Sequence, residues 1–373
     1  MSRFDFVNDA LQIRQQAGQL RAITDIVEAS DLVNVCGNDY LGLSKHPQVI
    51  DYSQNYLLQS GAGSTASRLI AGTGRAHLEL ENELATWLER ESVLLFNSGF
   101  QMNSSLIGAL ADKNTHLYYD KLNHNSLIQG ALLSRASLHR YRHCDTDHLR
   151  TLLKKNHTVG IRQIIVTESV FSMDGDVPDL SEISNIADEF DAILIVDEAH
   201  AIGLWGPEGR GFTFGDSRVD MVLGTFGKAF GSFGAFAACS EQLKSYLVNF
   251  CAGFVYTTAL PPATVGATLG ALKLMPTLED VRSRVIRLSS KFRSELTRHG
   301  FDISGSTSQI IPVVIGTEEK TLQLAKKLQD AGFQAYAIRP PTVESGKSRI
   351  RFTITADITE KHIDRLIAEL LRS

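Results

Sequence analysis

One amine stands in a glycine-rich segment of the chain. The sequence from Val219 to Gly234 opens with an apolar run and then carries glycines at positions 224, 227, 231 and 234. Lys228 lies in the middle, flanked by Phe226, Ala229 and Phe230. Burial among apolar groups lowers the pKa of a lysine and makes its amine a usable nucleophile, and glycines let the backbone approach a bulky ligand. The pattern fits a reactive lysine and also a surface lysine in a turn.

A carboxylate and an imidazole precede this lysine in the sequence. Residues 193–196 are apolar and mostly β-branched, which predicts a buried parallel strand. Asp197 and His200 follow at its carboxyl end, where open α/β sheets bind ligands. An aspartate after one strand and a lysine after the next predict pyridoxal 5'-phosphate (PLP). The lysine would hold the cofactor covalently, and the carboxylate would keep the pyridine nitrogen protonated.

Two nucleotide-binding alternatives fail on their glycine motifs. Asp-Glu-Ala-His at 197–200 also occurs in helicase-type ATPases, which need an upstream Gly-x-x-x-x-Gly-Lys-Ser/Thr loop. The Gly-Lys pairs at 227–228 and 346–347 lie downstream, and neither has the required earlier glycine. A Rossmann dehydrogenase needs Gly-x-Gly-x-x-Gly after a strand. Here Gly61 and Gly63 are followed by Ala66, with no buried strand before them.

Composition narrows the class of protein. The 373 residues, 43% hydrophobic and 21% charged, suffice for one large and one smaller domain. The net charge of −5 argues against nucleic acid or an anionic membrane as the main partner. The four cysteines show no Cys-x-x-Cys spacing, which favours reduced thiols. No apolar run approaches about 18 residues, and the first residues lack a signal core, so we expect a soluble cytoplasmic protein.

A strand–turn–helix pattern predicts a phosphate site. Strand 93–96 leads into Ser98, Gly99 and Phe100, which open a helix to about residue 110. The first amides of a helix point outward and bind anions. A lone Ser-Gly pair at a helix start is, however, more often only a cap.

Two more predicted strands end near polar side chains. Strand 117–119 leads to His124, whose imidazole can stack on a pyridine ring, and strand 164–167 leads to Ser172. Ser172 is either a turn residue or a hydroxyl directed at the ligand. The other histidines between 116 and 157 match no compact metal signature, so we predict no metal site.

The pattern changes near residue 275. Helices dominate from about 240, and strands are then predicted at 311–315, 334–338 and 349–354. The last alternates apolar and polar residues, which predicts a half-exposed antiparallel strand. We therefore predict an N-terminal helical arm (1–37), a large PLP-binding domain (38–275) and a small α+β C-terminal domain (276–373).

A set of motifs makes the chain resemble the α-oxoamine synthases, a PLP-dependent family. They start at Asn38 (NDYLGL), Leu95 (LFNSGF), Leu122 (LNHNSL), Val170 (VFSMDGD), Val196 (VDEAH), Thr225 (TFGKAFG) and Ala337 (AIRPPTV). The resemblance implies the type I fold of PLP-dependent transferases. That is an α/β fold whose large domain has a mostly parallel seven-stranded sheet, with a small α+β domain at the C-terminus.

The resemblance also implies a role for each matching residue. Lys228 would hold PLP and act as general base, with Asp197 on the pyridinium nitrogen and His124 on the ring face. The ring hydroxyl would meet His200 and Ser172. The phosphate would meet Ser98, Gly99, Phe100 and Thr225, together with Thr257 and Thr258 of the neighbouring subunit in a homodimer. The substrate-binding residues would be Arg339 for the amino-acid carboxylate, Asn38 nearby and Arg21 towards the acyl group.

The stretch from Ile338 to Val343 resembles the biotin-synthesis branch of the family. This branch condenses L-alanine with a pimeloyl thioester carried on acyl carrier protein or coenzyme A. A sister branch stays open, such as 2-amino-3-ketobutyrate ligase, 5-aminolevulinate synthase or serine palmitoyltransferase. A non-catalytic homologue should have lost Lys228 or Asp197, and both are present. The chain departs from the pattern at Cys144, where asparagine is expected, and in the loop 61–74, which has fewer glycines.

Overall fold

The structure is a computed structural model that describes residues 2–21, 23 and 32–372. The helices are α1 (Asp5–Gln16), α2 (Pro47–Ser60), α3 (Arg75–Leu88), α4 (Gly99–Leu110), α5 (Asn125–Leu133), α6 (Thr146–Asn156), α7 (Leu180–Glu189), α8 (Glu241–Phe250), α9 (Ala252–Val255), α10 (Pro262–Leu274), α11 (Glu279–Arg298), α12 (Glu318–Asp330) and α13 (Glu360–Leu371). The strands are β1 (Val33–Asn34), β2 (Ser92–Phe96), β3 (Thr115–Asp120), β4 (Ser137–Tyr141), β5 (Arg162–Glu168), β6 (Ala192–Asp197), β7 (Met221–Thr225), β8 (Ala235–Cys239), β9 (Ile310–Gly316), β10 (Phe333–Gln334), β11 (Ala337–Ile338) and β12 (Ser348–Thr353).

Residues 38–172 and 177–283 form one compact unit built on a seven-stranded sheet. The strand order is β2-β8-β7-β6-β5-β3-β4, and only β8 is antiparallel to its neighbours. Strands β5 and β6 are almost wholly buried, which explains their near-continuous apolar runs. The predicted α/β fold with a mostly parallel seven-stranded sheet is confirmed.

Helix α4 shows how this sheet positions a helix terminus. Its Met102, Leu106 and Leu110 recur every four residues and are buried in the core beside the sheet. Each such side chain contributes about 1.5–3 kcal/mol of burial free energy. The packing fixes the helix axis, so that Gly99 at its first turn lies just beyond the end of β2.

The described residues within 1–37, 173–176 and 284–373 form the second compact unit. Strands β11, β12 and β9 make an antiparallel sheet, and β1 pairs with β10 in parallel. The strand predicted at 334–338 is therefore two strands in different sheets. The division into an arm, a large and a small domain stays a prediction, since the arm's residues 24–31 lie outside the described residues. None of the described helices is long and apolar enough to cross a membrane.

The expectation that the strand at 349–354 is half-exposed was wrong. All six residues of β12 are buried. Arg349 forms an ion pair with Asp174 at 2.5 Å, and Arg351 donates to Thr353 Oγ1 at 3.0 Å. These partners satisfy the guanidinium groups inside the protein, so the alternation of charge along the strand does not mark a solvent face.

The turn at Cys144 explains why asparagine is expected at this position. Cys144 has a φ of 51°, in the left-handed region that asparagine tolerates best among non-glycine residues. Its N–H donates to Asp120 Oδ2 at 2.9 Å, and Asp120 Oδ1 lies 2.8 Å from His143 Nδ1. Possible ligand atoms of these three residues lie within 4.8 Å of one another. The hydrogen bonds that hold the turn account for that closeness.

Replacing Cys144 with asparagine is therefore expected to stabilise the protein. We expect the free energy of unfolding to rise by about 0.5–1 kcal/mol, because the left-handed backbone costs asparagine less. Urea denaturation of the two proteins measures the difference. The β-branched variant Cys144→Val should shift stability in the opposite direction, and equal shifts for both variants would contradict the backbone explanation.

Candidate active site

Lys228 lies in the loop that follows β7. Phe226, Ala229 and Phe230 around it are buried, as an apolar setting requires. The amine itself points to a polar partner, since Lys228 Nζ lies 2.7 Å from His200 Nε2. Strands β6 and β7 are parallel neighbours, so their carboxyl ends bring His200 and Lys228 to one edge of the sheet.

Two glycines of this segment, Gly224 and Gly231, serve the protein's own packing. A Cβ at Gly224 would lie 2.3 Å from the Phe236 ring, and one at Gly231 would lie 2.2 Å from the backbone nitrogen of Ser44. Gly231 also has a φ of 60°. At these two positions the absence of a side chain thus lets the backbone lie close to neighbouring protein atoms, whereas the sequence analysis expected a close approach to a ligand.

Asp197 is buried at the end of β6, with 6% of its surface exposed. Its Oδ2 accepts a hydrogen bond from Asn103 Nδ2 at 2.7 Å, and its Oδ1 accepts from the Ala199 N–H at 2.9 Å. Asn103 also donates to Ser126 Oγ at 3.0 Å. The carboxylate is therefore held in one orientation by groups from α4, α5 and its own loop.

A cavity of about 180 Å³ lies at this edge of the sheet. The predicted residues that it brings together are Gly99, Phe100, His124, Asp197, His200, Thr225 and Lys228. Among the described residues, its lining does not include Ser98, Ser172, Thr257 or Thr258.

The start of α4 forms one wall of the cavity. Ser98 is the N-cap of this helix, and its Oγ accepts from the Gln101 N–H at 3.2 Å. Gly99 and Phe100 are the first helical residues, whose N–H groups have no acceptor within a helix. A Cβ at Gly99 would lie 3.9 Å from Thr225 Oγ1, so both predicted phosphate contacts border the same space.

The remaining predicted cofactor contacts lie outside this cavity. Asn97 Nδ2 donates to Thr257 Oγ1 at 2.9 Å and to the Thr258 carbonyl at 2.7 Å. Ser172 follows Phe171, which packs edge-on against the His143 ring. Their assigned roles stay predictions, and for the two threonines the prediction concerns a second copy of the chain.

Two of the predicted substrate residues lie in the other compact unit. Arg339 donates to the carbonyl of Gly18, and Arg21 donates to Thr342 Oγ1 at 2.7 Å. Asn38 belongs to the sheet unit, where its Oδ1 lies 3.3 Å from Tyr40 Oη. The substrate roles of these residues also stay predictions.

Sequence reasoning missed four residues of the site, namely Tyr40, Asn103, Ser126 and Glu168. Glu168 ends β5 directly beside Asp197 in the sheet register. The rule that selected Asp197, a carboxylate at the carboxyl end of a buried strand, would have found it. Asn103 lies one helical turn after Gly99, and that spacing was a second usable signal.

The cavity perturbs two ionisable groups. Desolvation lowers the pKa of His124 and Asp197 opposes this, while Lys228 adds to the lowering whenever its amine is protonated. Burial raises the pKa of Glu168 well above its usual range, and the charge of Asp197 adds to this. Glu168 Oε1 accepts the backbone N–H of His124. These shifts favour the neutral imidazole of His124 and the protonated carboxyl group of Glu168.

The raised pKa of Glu168 predicts a pH-dependent stability. The folded chain binds this proton more tightly than the unfolded chain, so the stabilisation is complete below about pH 4.3 and is lost as pH rises through the folded-state pKa. Glu168→Gln mimics the protonated form. We expect the unfolding free energy of this variant, relative to that of the wild type, to increase as pH rises, by at most about 1.4 kcal/mol per pH unit.

Urea denaturation at several pH values between 5 and 9 measures this difference. Glu83→Gln, at an exposed position of α3, is the matched control and should run parallel to the wild type. Parallel curves for Glu168→Gln as well would show that Glu168 does not retain its proton.

The residues present fit PLP. An amine for covalent attachment, a buried carboxylate and the free amides of a helix start border one cavity. Asn103 Oδ1, which is buried and has no hydrogen-bond partner among the described residues, lies in the same wall. The amine, the carboxylate and the helix amides match the aldehyde, the pyridine nitrogen and the phosphate of the cofactor, respectively.

Comparison with known proteins gives the same family. A family model described as aminotransferase class I and II matches residues 30–370. An 8-amino-7-oxononanoate synthase of Anaeromyxobacter dehalogenans is 43% identical over 342 residues, 91% of this chain and 85% of that protein. A serine palmitoyltransferase variant from S. paucimobilis, solved with bound PLP and myriocin, has a TM-score of 0.91 at 25% identity and covers 99% of this chain and 97% of its own. An 8-amino-7-oxononanoate synthase from Francisella tularensis has a TM-score of 0.79 at 27% identity, covering 91% and 97%. The chain therefore belongs to the aminotransferase class I and II family, within its PLP-dependent α-oxoamine synthases.

Proposed function

We propose that the protein condenses L-alanine with a pimeloyl thioester to give 8-amino-7-oxononanoate, carbon dioxide and a free thiol carrier, in biotin synthesis. The observation that carries the proposal is the cavity that joins the Lys228 amine, the Asp197 carboxylate and the His124 imidazole. The similarity to 8-amino-7-oxononanoate synthases over most of the chain favours this reaction over that of the sister synthases.

When bound, PLP supplies an electron sink that stabilises negative charge on the amino-acid carbon. Lys228 would hold the cofactor, and its free amine would take the Cα proton of the amino acid on Nζ as general base. Asp197 would hold a proton on the pyridine nitrogen, and its two hydrogen bonds keep the carboxylate oriented for this. The lowered pKa of His124 favours its neutral imidazole, which lines the same cavity and would exchange a proton there.

The partners follow from this proposal. The acyl chain arrives on acyl carrier protein or on coenzyme A, and both carriers present the same thioester. The working form is a homodimer in which Thr257 and Thr258 of one copy complete the phosphate site of the other. Their place outside the cavity of their own chain supports this arrangement.

Arg339→Ala is expected to weaken L-alanine binding chiefly, because the guanidinium would pair with the substrate carboxylate. Loss of one such charged contact corresponds to about 10- to 100-fold in affinity. Spectral titration of the PLP-loaded protein with L-alanine measures this. Arg21→Ala is the companion variant and should leave alanine affinity unchanged while raising the KM for the thioester. Unchanged alanine affinity in Arg339→Ala would remove the carboxylate role.

Thiol release tests the substrate assignment. The PLP-loaded protein is given a pimeloyl thioester together with L-alanine, glycine or L-serine. Release with alanine alone supports the proposal. Release with glycine or serine, or none until the acyl group is changed, would move the protein to a sister branch.

A further inference from the structure

The proposed reaction assigns no role to Tyr40, although hydrogen bonds link Tyr40 through His200 to Lys228. The Tyr40 side chain is fully buried. Tyr40 Oη lies 2.5 Å from His200 Nδ1, and His200 Nε2 lies 2.7 Å from Lys228 Nζ. A hydrogen-bonded chain therefore runs from the turn 38–42 through the imidazole to the lysine amine.

The distances indicate which atom donates at the first link. N–H donors approach oxygen to about 2.7–3.2 Å. The 2.5 Å separation is shorter than that range, which favours the Tyr40 hydroxyl as the donor and His200 Nδ1 as the acceptor. Asn38 Oδ1, at 3.3 Å, is the more distant acceptor for the same proton.

This donation sets the tautomer of His200. A neutral imidazole carries one proton, so accepting at Nδ1 leaves that proton on Nε2. Nε2 then donates to Lys228 Nζ, which requires the lone pair of a neutral amine. The opposite tautomer would present a lone pair to Lys228 and favour the ammonium form, which is not nucleophilic.

We propose that Tyr40 is a positioning residue that fixes the tautomer of His200 and thereby keeps the Lys228 amine neutral and ready to capture PLP. The inference rests on the proposed role of Lys228, and it is independent of the choice of amino acid or thioester. Among the described residues, the ionisable groups that border the same cavity as Lys228 include Asp197, Glu168 and His124. Removing only the Tyr40 hydroxyl leaves all three in place.

Tyr40→Phe tests the proposal through the pH dependence of PLP capture. The full-length protein is stripped of PLP and mixed with PLP between pH 6 and 10, and the rate of covalent attachment is followed by visible absorbance. We expect the pH midpoint of this rate to rise by about half to one unit in Tyr40→Phe. Tyr118→Phe is the matched control, because Tyr118 is equally buried and donates to Gln163 Oε1 at 3.0 Å, away from the lysine. Its midpoint should not move.

Nitrogen-15 NMR of the histidine-labelled wild type provides a second readout that does not depend on any variant. We expect the His200 proton on Nε2. A proton on Nδ1, or equal midpoints for Tyr40→Phe and Tyr118→Phe, would overturn the proposal. Because neither readout involves a substrate, failure of the thiol-release experiment alone would leave this inference intact.

Discussion

Replacing Lys228 with alanine is expected to abolish covalent PLP binding and to lower turnover by about 10⁴-fold or more. The amine is both the attachment point and the general base, and general-base catalysis alone accounts for about 10²–10⁴-fold. After dialysis the variant should lack the visible absorbance of lysine-bound PLP. Absorbance spectra and thiol-release rates measure the two effects.

Lys273→Ala is the control for this variant, since Lys273 is an exposed lysine of α10. It should keep both the absorbance and the activity. Borohydride reduction of the wild type, followed by peptide mass spectrometry, should find PLP on Lys228. A Lys228→Ala protein that stays yellow and turns over would refute the lysine assignment.

Asp197→Asn is expected to lower kcat by about 10²–10³-fold while covalent PLP binding persists. An amide cannot hold a proton on the pyridine nitrogen as a carboxylate does. The two oxygens of Asp197 accept hydrogen bonds from Asn103 and from the Ala199 N–H. Asparagine replaces one of these oxygens with an NH2 group, so one buried donor loses its acceptor. We expect this to cost about 1–3 kcal/mol of stability.

Asn103→Ala separates the two effects of that substitution. It removes one hydrogen bond from Asp197 but keeps the carboxylate, so turnover should fall far less than in Asp197→Asn. Steady-state kinetics and urea denaturation of both variants make the comparison. Wild-type kcat in Asp197→Asn would rule out the proposed pairing with the pyridine nitrogen.

The parts of the site that depend on strand ends could be predicted from the sequence. Asp197, His200 and Lys228 follow buried apolar strands, and parallel pairing brings such ends to one edge of a sheet. Local patterns also predicted helix α4 and the run of helices from about residue 240, because apolar spacing and caps are set by consecutive residues. Helices α5, α6 and α7 were not predicted.

The parts that depend on distant partners could not be predicted. Tyr40 and His200 are 160 positions apart, and no local pattern links them. Strand β8 consists mainly of small residues with little strand preference, and it forms because its neighbours β2 and β7 flank it. The burial of β12 depends on the ion pair between Arg349 and Asp174. The alternation of charged and apolar residues along this strand had predicted solvent exposure instead.

The stoichiometry of the complete reaction is the decisive test of the proposed condensation. The PLP-loaded protein is given a pimeloyl thioester and L-alanine labelled at the carboxyl carbon, and labelled carbon dioxide, free thiol and the product mass are measured together. We predict one carbon dioxide for each thiol released and an amino-ketone that joins the acyl chain to the alanine Cα. Thiol release without carbon dioxide would mean simple hydrolysis of the thioester and would contradict the proposed condensation.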